Sequence, residues 1–461
     1  MSTATNPLTT GDLDRLKSGF AGPVFVPGDP GMSDEAAPFN RTVSHRPLVV
    51  AAATRVEDVV HAVRWAAARE LPIAVQATGH GAVAPADGGL LVTTRRMDEV
   101  TVDAARRTVR VAAGARWKSV IAAAAEHGLA PLSGSSSDVG AIGYTLGGGH
   151  GILGRQYGFA ADHVLAVDLV TADGRLRQVT AESEPELFWA VRGGKGSFGV
   201  VTAMEIRLFP VITVYAGGIF FAGSSASGVL HAYRAWAPTL PEQASSSVAL
   251  LRLPPLEELP EPLRGRFVVH LRFAYNGPAE EGEALLAPMR TAGEAVLDHV
   301  GELPYTATDS VHQDPKDPMP VWNSGMLLRS IEAETVEALV GAVGPEADVP
   351  LAMVEIRQLG GALSRPASPP NAVSGREGAY GVSVVGALLP GIEEAVPAAG
   401  NAVLGALEPW AAHGALINFL GETSPEQLAG AWDPQARTRL LEIKRAYDPA
   451  RLFRLGHAIG A

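Results

Sequence analysis

Two glycine-bearing segments hold the residues best suited to seize a ligand through the main chain. The first is Thr78-Gly79-His80-Gly81. The second is Gly140-Ala141-Ile142-Gly143, closely followed by Gly147-Gly148-Gly149. Glycines remove side chains and open unusual φ values, so clustered N–H groups can approach a pyrophosphate without help from Lys or Arg. That matters in a chain with 37 Lys and Arg against 49 Asp and Glu, a formal charge of −12. For either loop alone the alternative is glycines serving only turns; taken together, with a histidine in one loop, the ligand reading is the stronger. Other motifs lead elsewhere. Gly194-Lys195-Gly196-Ser197-Phe198-Gly199 is a literal G-x-G-x-x-G, but a helix precedes it and a strand follows, the inverse of a dinucleotide fingerprint, so a tight helix-to-strand turn is expected. Ser135-Ser136-Ser137-Asp138 and His150 invite a hydrolase reading, yet no G-x-S-x-G elbow is present. The 12 histidines include no H-x-x-x-H or H-E-x-x-H spacing, so no metal site is expected.

The elements that must position these residues follow from periodicity. Leu48 to Ala52 reads as a strand. Thr54-Arg55-Val56-Glu57 has the capping-box pattern and opens a helix to about Glu70, with Val59, Val60, Val63 and Ala67 at helical spacing. Pro72 to Ala77 is a strand running into Gly79, and strands follow at 90–93, 99–103 and 108–112. Trp117 to His127 is a helix closed by Gly128. Gly134 to Gly158 is the densest glycine region and contains no long periodic segment. Val164 to Thr171 and Leu176 to Thr180 flank the hairpin signal Asp173-Gly174. A second capping box, Ser183-Glu184-Pro185-Glu186, starts a helix that Gly193-Gly194 stops, and Val200 to Phe209 alternates as a strand. Beyond about 211 the texture changes to longer strands, Ala/Glu-rich helices and Pro-rich connections, which reads as a second domain. Ala436 to Tyr447 is an amphipathic helix stopped by Asp448-Pro449.

Composition sets the outer bounds. At 461 residues, with hydrophobic residues at 47% and charged residues at 19%, the chain is neither disordered nor fibrous. Its acidic balance argues against nucleic acid as a partner. Cys is absent, which excludes disulfides, thiolate metal sites, a Cys nucleophile and a flavin attached through sulfur. Met1 to Thr10 is not a signal peptide, and a cytoplasmic location is expected. The uncharged stretch Leu208 to Leu230 is long enough to cross a bilayer, but its alternation, Pro210 and glycines favour a sheet strand and no membrane partner.

An ordered set of motifs runs through nearly the whole chain: Gly79-His80, Asp138-Val139-Gly140, Gly147-Gly148-Gly149, Tyr157-Gly158-Phe159-Ala160-Ala161-Asp162, Leu187-Phe188-Trp189-Ala190-Val191-Arg192-Gly193-Gly194, Asn418-Phe419, and Tyr447-Asp448-Pro449-Ala450-Arg451-Leu452-Phe453-Arg454. In these the chain resembles the FAD-linked oxidoreductases of the vanillyl-alcohol oxidase superfamily, and within it the berberine-bridge-enzyme-like oxidases. The resemblance implies an α+β fold. A PCMH-type FAD-binding domain (1–210) would be completed by a C-terminal segment (415–461) and would enclose a substrate-binding domain (211–414) built on an antiparallel sheet flanked by helices. It implies FAD as cofactor, held by Gln76, Ala77, Thr78, Gly79, His80 and Gly81, by Ser137, Asp138, Gly140, Gly143, Tyr144, Gly147, Gly148 and Gly149, and by Gly199, Val201 and Asn418. Val201 and its neighbours would contact the adenine end through the backbone. The histidine matching His80 commonly bonds the 8α position of the isoalloxazine; the alternative is an uncoupled histidine beside a noncovalent flavin. Without cysteine, at most that one attachment forms. Many relatives have Arg-x-Gly-Gly-His where this chain has Gln76-Ala77-Thr78-Gly79-His80, so backbone donors must do more.

The reaction implied takes hydride from a substrate C–H to flavin N5 while a base within hydrogen-bond reach takes a hydroxyl proton. Several relatives supply a tyrosine where this chain has Phe419, which cannot accept a proton. Candidates are Glu355, with Arg357 at i+2 on the same face of a strand, Tyr380 and His312. Each also has a reading as a surface or structural group. Trp322 and Tyr305 can line a pocket or belong to the core. The expected activity is oxidation of an alcohol or similar group of a small molecule, a sugar or secondary metabolite, with O2 as acceptor. A flavin dehydrogenase with another acceptor and a noncatalytic binder of flat aromatic compounds are the alternatives.

Overall fold

The computed structural model describes residues 8–460. Three sheets organise them. Val49–Ala52 and Ile73–Gln76 flank Leu90–Thr93 as a parallel trio, with Val24–Phe25 on the outer edge. All four residues of both Val49–Ala52 and Leu90–Thr93 are buried, as expected of parallel strands covered on both faces. The helix Val56–Ala67 covers them with Val59, Ala62, Val63 and Ala66. A second sheet orders Val100–Asp103, Thr108–Ala112, Val200–Arg207, Val164–Val170 and Leu176–Val179, all antiparallel. The Asp173-Gly174 turn joins the last pair in the chain.

The third sheet has 9 strands and comes from the middle of the chain. Its centre runs Thr213–Ala222, Phe267–Tyr275, Ala244–Arg252, Met353–Gln358, Tyr380–Ala387 and Val321–Leu328, antiparallel throughout. The two faces of this sheet differ sharply. Val269, Leu271 and Phe273, Val248 and Leu250, Val354 and Ile356, and Val382 and Val384 pack with Leu230, Leu286, Leu339 and Val403 of the helices Ala226–Trp236, Ala279–Arg290, Ala333–Val343 and Ala395–Leu407. The intervening residues include the buried polar groups His270, Arg272, Ser247, Glu355, Arg357 and Ser383 beside a smaller apolar patch of Phe220, Ala249, Leu251 and Val268. Period two along the central strands therefore separates an apolar core from a face that carries a buried polar cluster. The stretch from Leu208 enters this sheet as Thr213–Ala222, and among the described residues no helix is long and apolar enough to cross a membrane.

The C-terminal residues return to the first two sheets. Ile73 N donates to Leu452 O (2.8 Å), and Leu452 and Phe453 join the core of the first sheet. The clasp is ionic: Asp448, fully buried, pairs with Lys444 at 2.6 Å and accepts from the amides of Leu452 and Phe453, while Lys444 also reaches Ser197 O and Phe453 O.

Local signals were decided by competing partners in two places. At Thr54 the expected capping box with Glu57 does not form. Thr54 donates instead to Asp58, through its amide at 2.9 Å and Oγ1 at 2.8 Å, and Asp58 also accepts from Ala21 N; a buried carboxylate outcompetes the exposed Glu57. At Ser183 the helix starts with Pro185 after a left-handed Glu184, and Glu186 pairs with Arg439 rather than reaching back. The glycine-dense region, expected to contain no long periodic segment, holds only the short helices Ala141–Leu146 and Gly154–Tyr157 and the short 3-10 turn that follows.

Candidate flavin and substrate site

The strand Ile73–Gln76 delivers its loop against Asp138–Gly143: a Cβ placed on Gly140 would meet Ala77 Cβ and Thr78 Oγ1, each at 3.5 Å. The segment 38–41 braces the first loop, with Phe39 N donating to Thr78 O and the Phe39 ring stacked on His80 at 3.9 Å. His80 is half-buried and its Nδ1 lies 2.8 Å from Thr78 Oγ1. Burial, reinforced by the nearby Arg116 guanidinium, lowers its pKa to about 4, so the imidazole is neutral and keeps a nucleophilic lone pair at neutral pH.

Whether these loops suit a dinucleotide is tested by their donors and their space. Among the described residues, the amides of Thr78, Gly79, His80, Gly81, Asp138, Val139, Gly140, Ile142 and Gly143 donate to no protein acceptor. Most of these residues are half-buried or exposed, and Ile142 and Gly143 lie in the first turn of Ala141–Leu146, so the N–H groups are accessible and available to an external acceptor. Gly81 and Gly143 add a second indication. Neither has a left-handed φ, and a Cβ on either would touch nothing within 4 Å, so neither backbone nor packing demands glycine there. Gly147, Gly148 and Gly149 differ: Asn418, Val373 and Tyr144 occupy the space beside them, and Gly148 and Gly149 have φ of 101° and 79°. These glycines admit protein rather than ligand. A Gly143→Val variant should therefore retain the stability of the apoprotein while losing most of its FAD, read as the ratio of flavin to protein absorbance after gel filtration.

Other expected contacts are committed within the protein. The Gln76 side chain bonds His45 Nε2 (3.0 Å) and donates to Ala36 O (3.1 Å). Ser137 gives its amide and hydroxyl to Asp309. The Asp138 carboxyl, which burial alone would raise, is held below the usual carboxylate range by Lys118 and Arg116 at 3.0 and 3.2 Å. Those two residues bring positive charge to the loop where Gln76 supplies none. Gly199 lets Val170 O approach to 2.5 Å of its Cβ position, and Val201 is buried in the ladder opposite Leu169. The Tyr144 hydroxyl is buried without a partner, and Asn418 donates to Tyr144 O (2.8 Å).

Directly after the glycine run, His150, Gly151 and Ile152 form one wall of a small cavity of about 30 Å³; the polar face of the large sheet forms the other. Glu355 lies at its base, fully buried. Arg357 Nε (2.7 Å) and Ser247 Oγ (2.7 Å) donate to it, as does Arg272 Nη1, and His312 Nε2 lies 3.8 Å away. Burial alone would raise this carboxyl, but the guanidiniums of Arg357 and Arg272 outweigh it and hold the pKa well below its usual value. Glu355 is thus a committed anion that aligns two arginines, not a free base. His312 and His150 line the same cavity, each with an Nδ1 that has no protein partner. Burial first, and then Arg357, keep both neutral, His150 at about 3.

Tyr380 is not part of this group. It pairs with Gln358 across the sheet and points into the helix-side core, one residue out of phase with Ser383 and Glu355. Tyr305 is also core, donating to Pro131 O at 2.6 Å, and Trp322 packs against Gly400. Phe419 lies under Arg357, 5.0 Å from guanidinium to ring. Sequence reasoning missed Arg272 and Ser247 and treated His150 only as a hydrolase lure. Arg272 had the same signal that singled out Glu355 and Arg357: His270-x-Arg272 places two polar groups on one face of an otherwise apolar strand.

Residues 47–180 match the family model described as an FAD binding domain. Over 95% of its length the chain is 27% identical to (R)-6-hydroxynicotine oxidase of Paenarthrobacter nicotinovorans, covering 96% of that protein. The crystal structure of 6-hydroxy-D-nicotine oxidase from Arthrobacter nicotinovorans superposes with a TM-score of 0.82 at 26% identity, covering 95% of this chain and 98% of the other. Residues 47–180 thus form an FAD binding domain, and the proteins the chain resembles over most of its length are FAD-linked oxidoreductases. A berberine-bridge-enzyme-like protein of Physcomitrella patens shares the fold, with a TM-score of 0.83 at 18% identity over 97% of this chain and 98% of that one. The protein is an FAD-dependent oxidoreductase acting on small molecules, with the α+β fold shared by these structures.

Proposed function

We propose that this flavoprotein is an oxidase of uncharged, hydroxyl-bearing small molecules, with residues 1–210 and 415–461 forming the flavin unit and 211–414 the substrate unit. The observation that carries this reading is the cavity between the glycine run and the polar face of the sheet. Arg272 and Arg357 disfavour a cationic amine there. Glu355, with Asp314 held by Ser135 at the rim, disfavours an anion. Neutral His150 and His312 offer lone pairs to a hydroxyl. FAD, when bound, would supply the hydride acceptor, with dioxygen as the final electron acceptor. The amides of 78–81, 138–140 and 142–143 would hold its diphosphate, and the His80 imidazole would meet the ring edge.

Within the cavity, His312 receives the hydroxyl proton on Nδ1. The resulting imidazolium is stabilised by Glu355, which in turn keeps Arg357 above Phe419. His312→Ala is expected to lower kcat/KM by about 10²-fold, the usual range for a general base. An unchanged value would transfer the role to His150.

Anaerobic addition of a panel of sugars, alcohols, carboxylates and amines to the yellow protein tests the substrate class. Bleaching by uncharged hydroxylated compounds, with peroxide released on admission of air, is the expected result. Bleaching by cationic amines alone would overturn the class. Reduced flavin that persists in air would make the enzyme a dehydrogenase, and a panel that never bleaches it would favour a binder.

A further inference from the structure

The Gly194–Gly199 turn contains a lysine whose surroundings the flavin site has not used. Gly193 N and Lys195 N both donate to Leu146 O, at 3.0 and 3.2 Å, which places Lys195 beneath the glycine run. It occupies a left-handed conformation with φ of 57° between two glycines, where glycine itself would sit without strain. Its Nζ donates to Asn418 Oδ1, and its Cε would lie 2.8 Å from a Cβ on Gly147. Asn418 precedes Phe419, the ring beneath Arg357, so Lys195 lies at the end of the flavin loops nearest the substrate cavity.

What Lys195 lacks is an anion. Asn418 is its hydrogen-bond partner, and no carboxylate of the described residues pairs with it. The one neighbouring ionisable group, His457, is kept neutral by burial and by Lys195 itself, with a pKa of about 4. The side chain is half-buried, and desolvation brings the ammonium down to about 8. An amine so placed is costly unless a ligand supplies the missing negative charge.

We propose that Lys195 is the counter-charge for the flavin ring: a positioning residue whose ammonium stabilises the negative charge acquired at N1–C2=O when hydride leaves the substrate C–H bond for N5. This rests on FAD occupying the glycine loops, which flavin content reports separately. Sulfite, which forms an anionic adduct at N5 without substrate, is the probe. In Lys195→Met holoenzyme the sulfite dissociation constant should rise by about tenfold or more and the midpoint potential should fall, as expected for loss of one charge in a low-dielectric site. Lys195→Arg should keep most of both properties, and flavin content should be unchanged in each. Lys195→Gly, free of backbone strain, serves if the methionine variant does not fold. Unchanged sulfite affinity and potential would overturn the proposal. So would lost flavin retention with an unaltered potential, which would assign Lys195 to the diphosphate.

Discussion

Replacing His80 with alanine should turn an acid-stable yellow protein into one that releases all its flavin to the supernatant on acid precipitation. The expectation rests on three features: a ring stacked on Phe39 at 3.9 Å with 13° between planes, Nδ1 held 2.8 Å from Thr78 Oγ1, and a pKa of about 4. Stacking and hydrogen bonding fix the ring, and burial keeps it unprotonated. Turnover should drop by about tenfold or more, a loss of at least ~1.4 kcal/mol of transition-state stabilisation. The pH dependence has a definite sign. Because the neutral ring is the nucleophile and its pKa lies below the usual 6.5, flavin attachment to apoprotein should be flat from pH 8 to about 5 and decline as pH approaches 4. A decline centred near 6.5 would show a solvated histidine. Flavin wholly in the wild-type supernatant would show that no bond forms.

Glu355→Ala should be the most destabilising single change at the site. The carboxylate is fully buried between Arg272 and Arg357, whose side chains are 4% and 11% exposed. Removing it leaves two like charges facing each other without water, at a cost of about 3–5 kcal/mol, measurable as a lowered urea midpoint. Adding Arg272→Met should recover part of the loss, because one orphaned charge disappears. The folded pKa of Glu355 is depressed, so its contribution is fully present above the unfolded value near 4.5 and is lost as pH falls below that value toward the folded one. Wild-type protein should therefore lose stability on acidification below about pH 4.5 more steeply than Glu355→Ala. Equal slopes would mean that the cluster is solvated.

The loops proposed to hold the flavin carry their signal locally: a histidine between glycines, with empty Cβ positions at Gly81 and Gly143. The motif order from Gly79 to Phe453 pointed to FAD-linked oxidoreductases. Gly147 to Gly149 illustrate the limit of such a reading. The same residue type serves there to admit Asn418, Val373 and Tyr144, and only the packed neighbours reveal it. The two capping boxes failed for a related reason: an arginine distant from the pattern, or a carboxylate buried beside it, was the better partner.

By itself the sequence determined what depends on residue type and short spacing: the absence of thiol chemistry, the histidine between glycines, and the alternation that pairs Glu355 with Arg357; its ordered motifs added the resemblance to FAD-linked oxidoreductases. Tertiary structure decided which face each strand turns to the cavity. It thereby excluded Tyr380, recruited Arg272, Ser247 and His150, and made Glu355 an anchored anion instead of a base. The physical reason is that proton affinity and accessibility are set by charges and packing brought together from 83 to 108 residues away in the chain, and these act only once the sheet has closed over them.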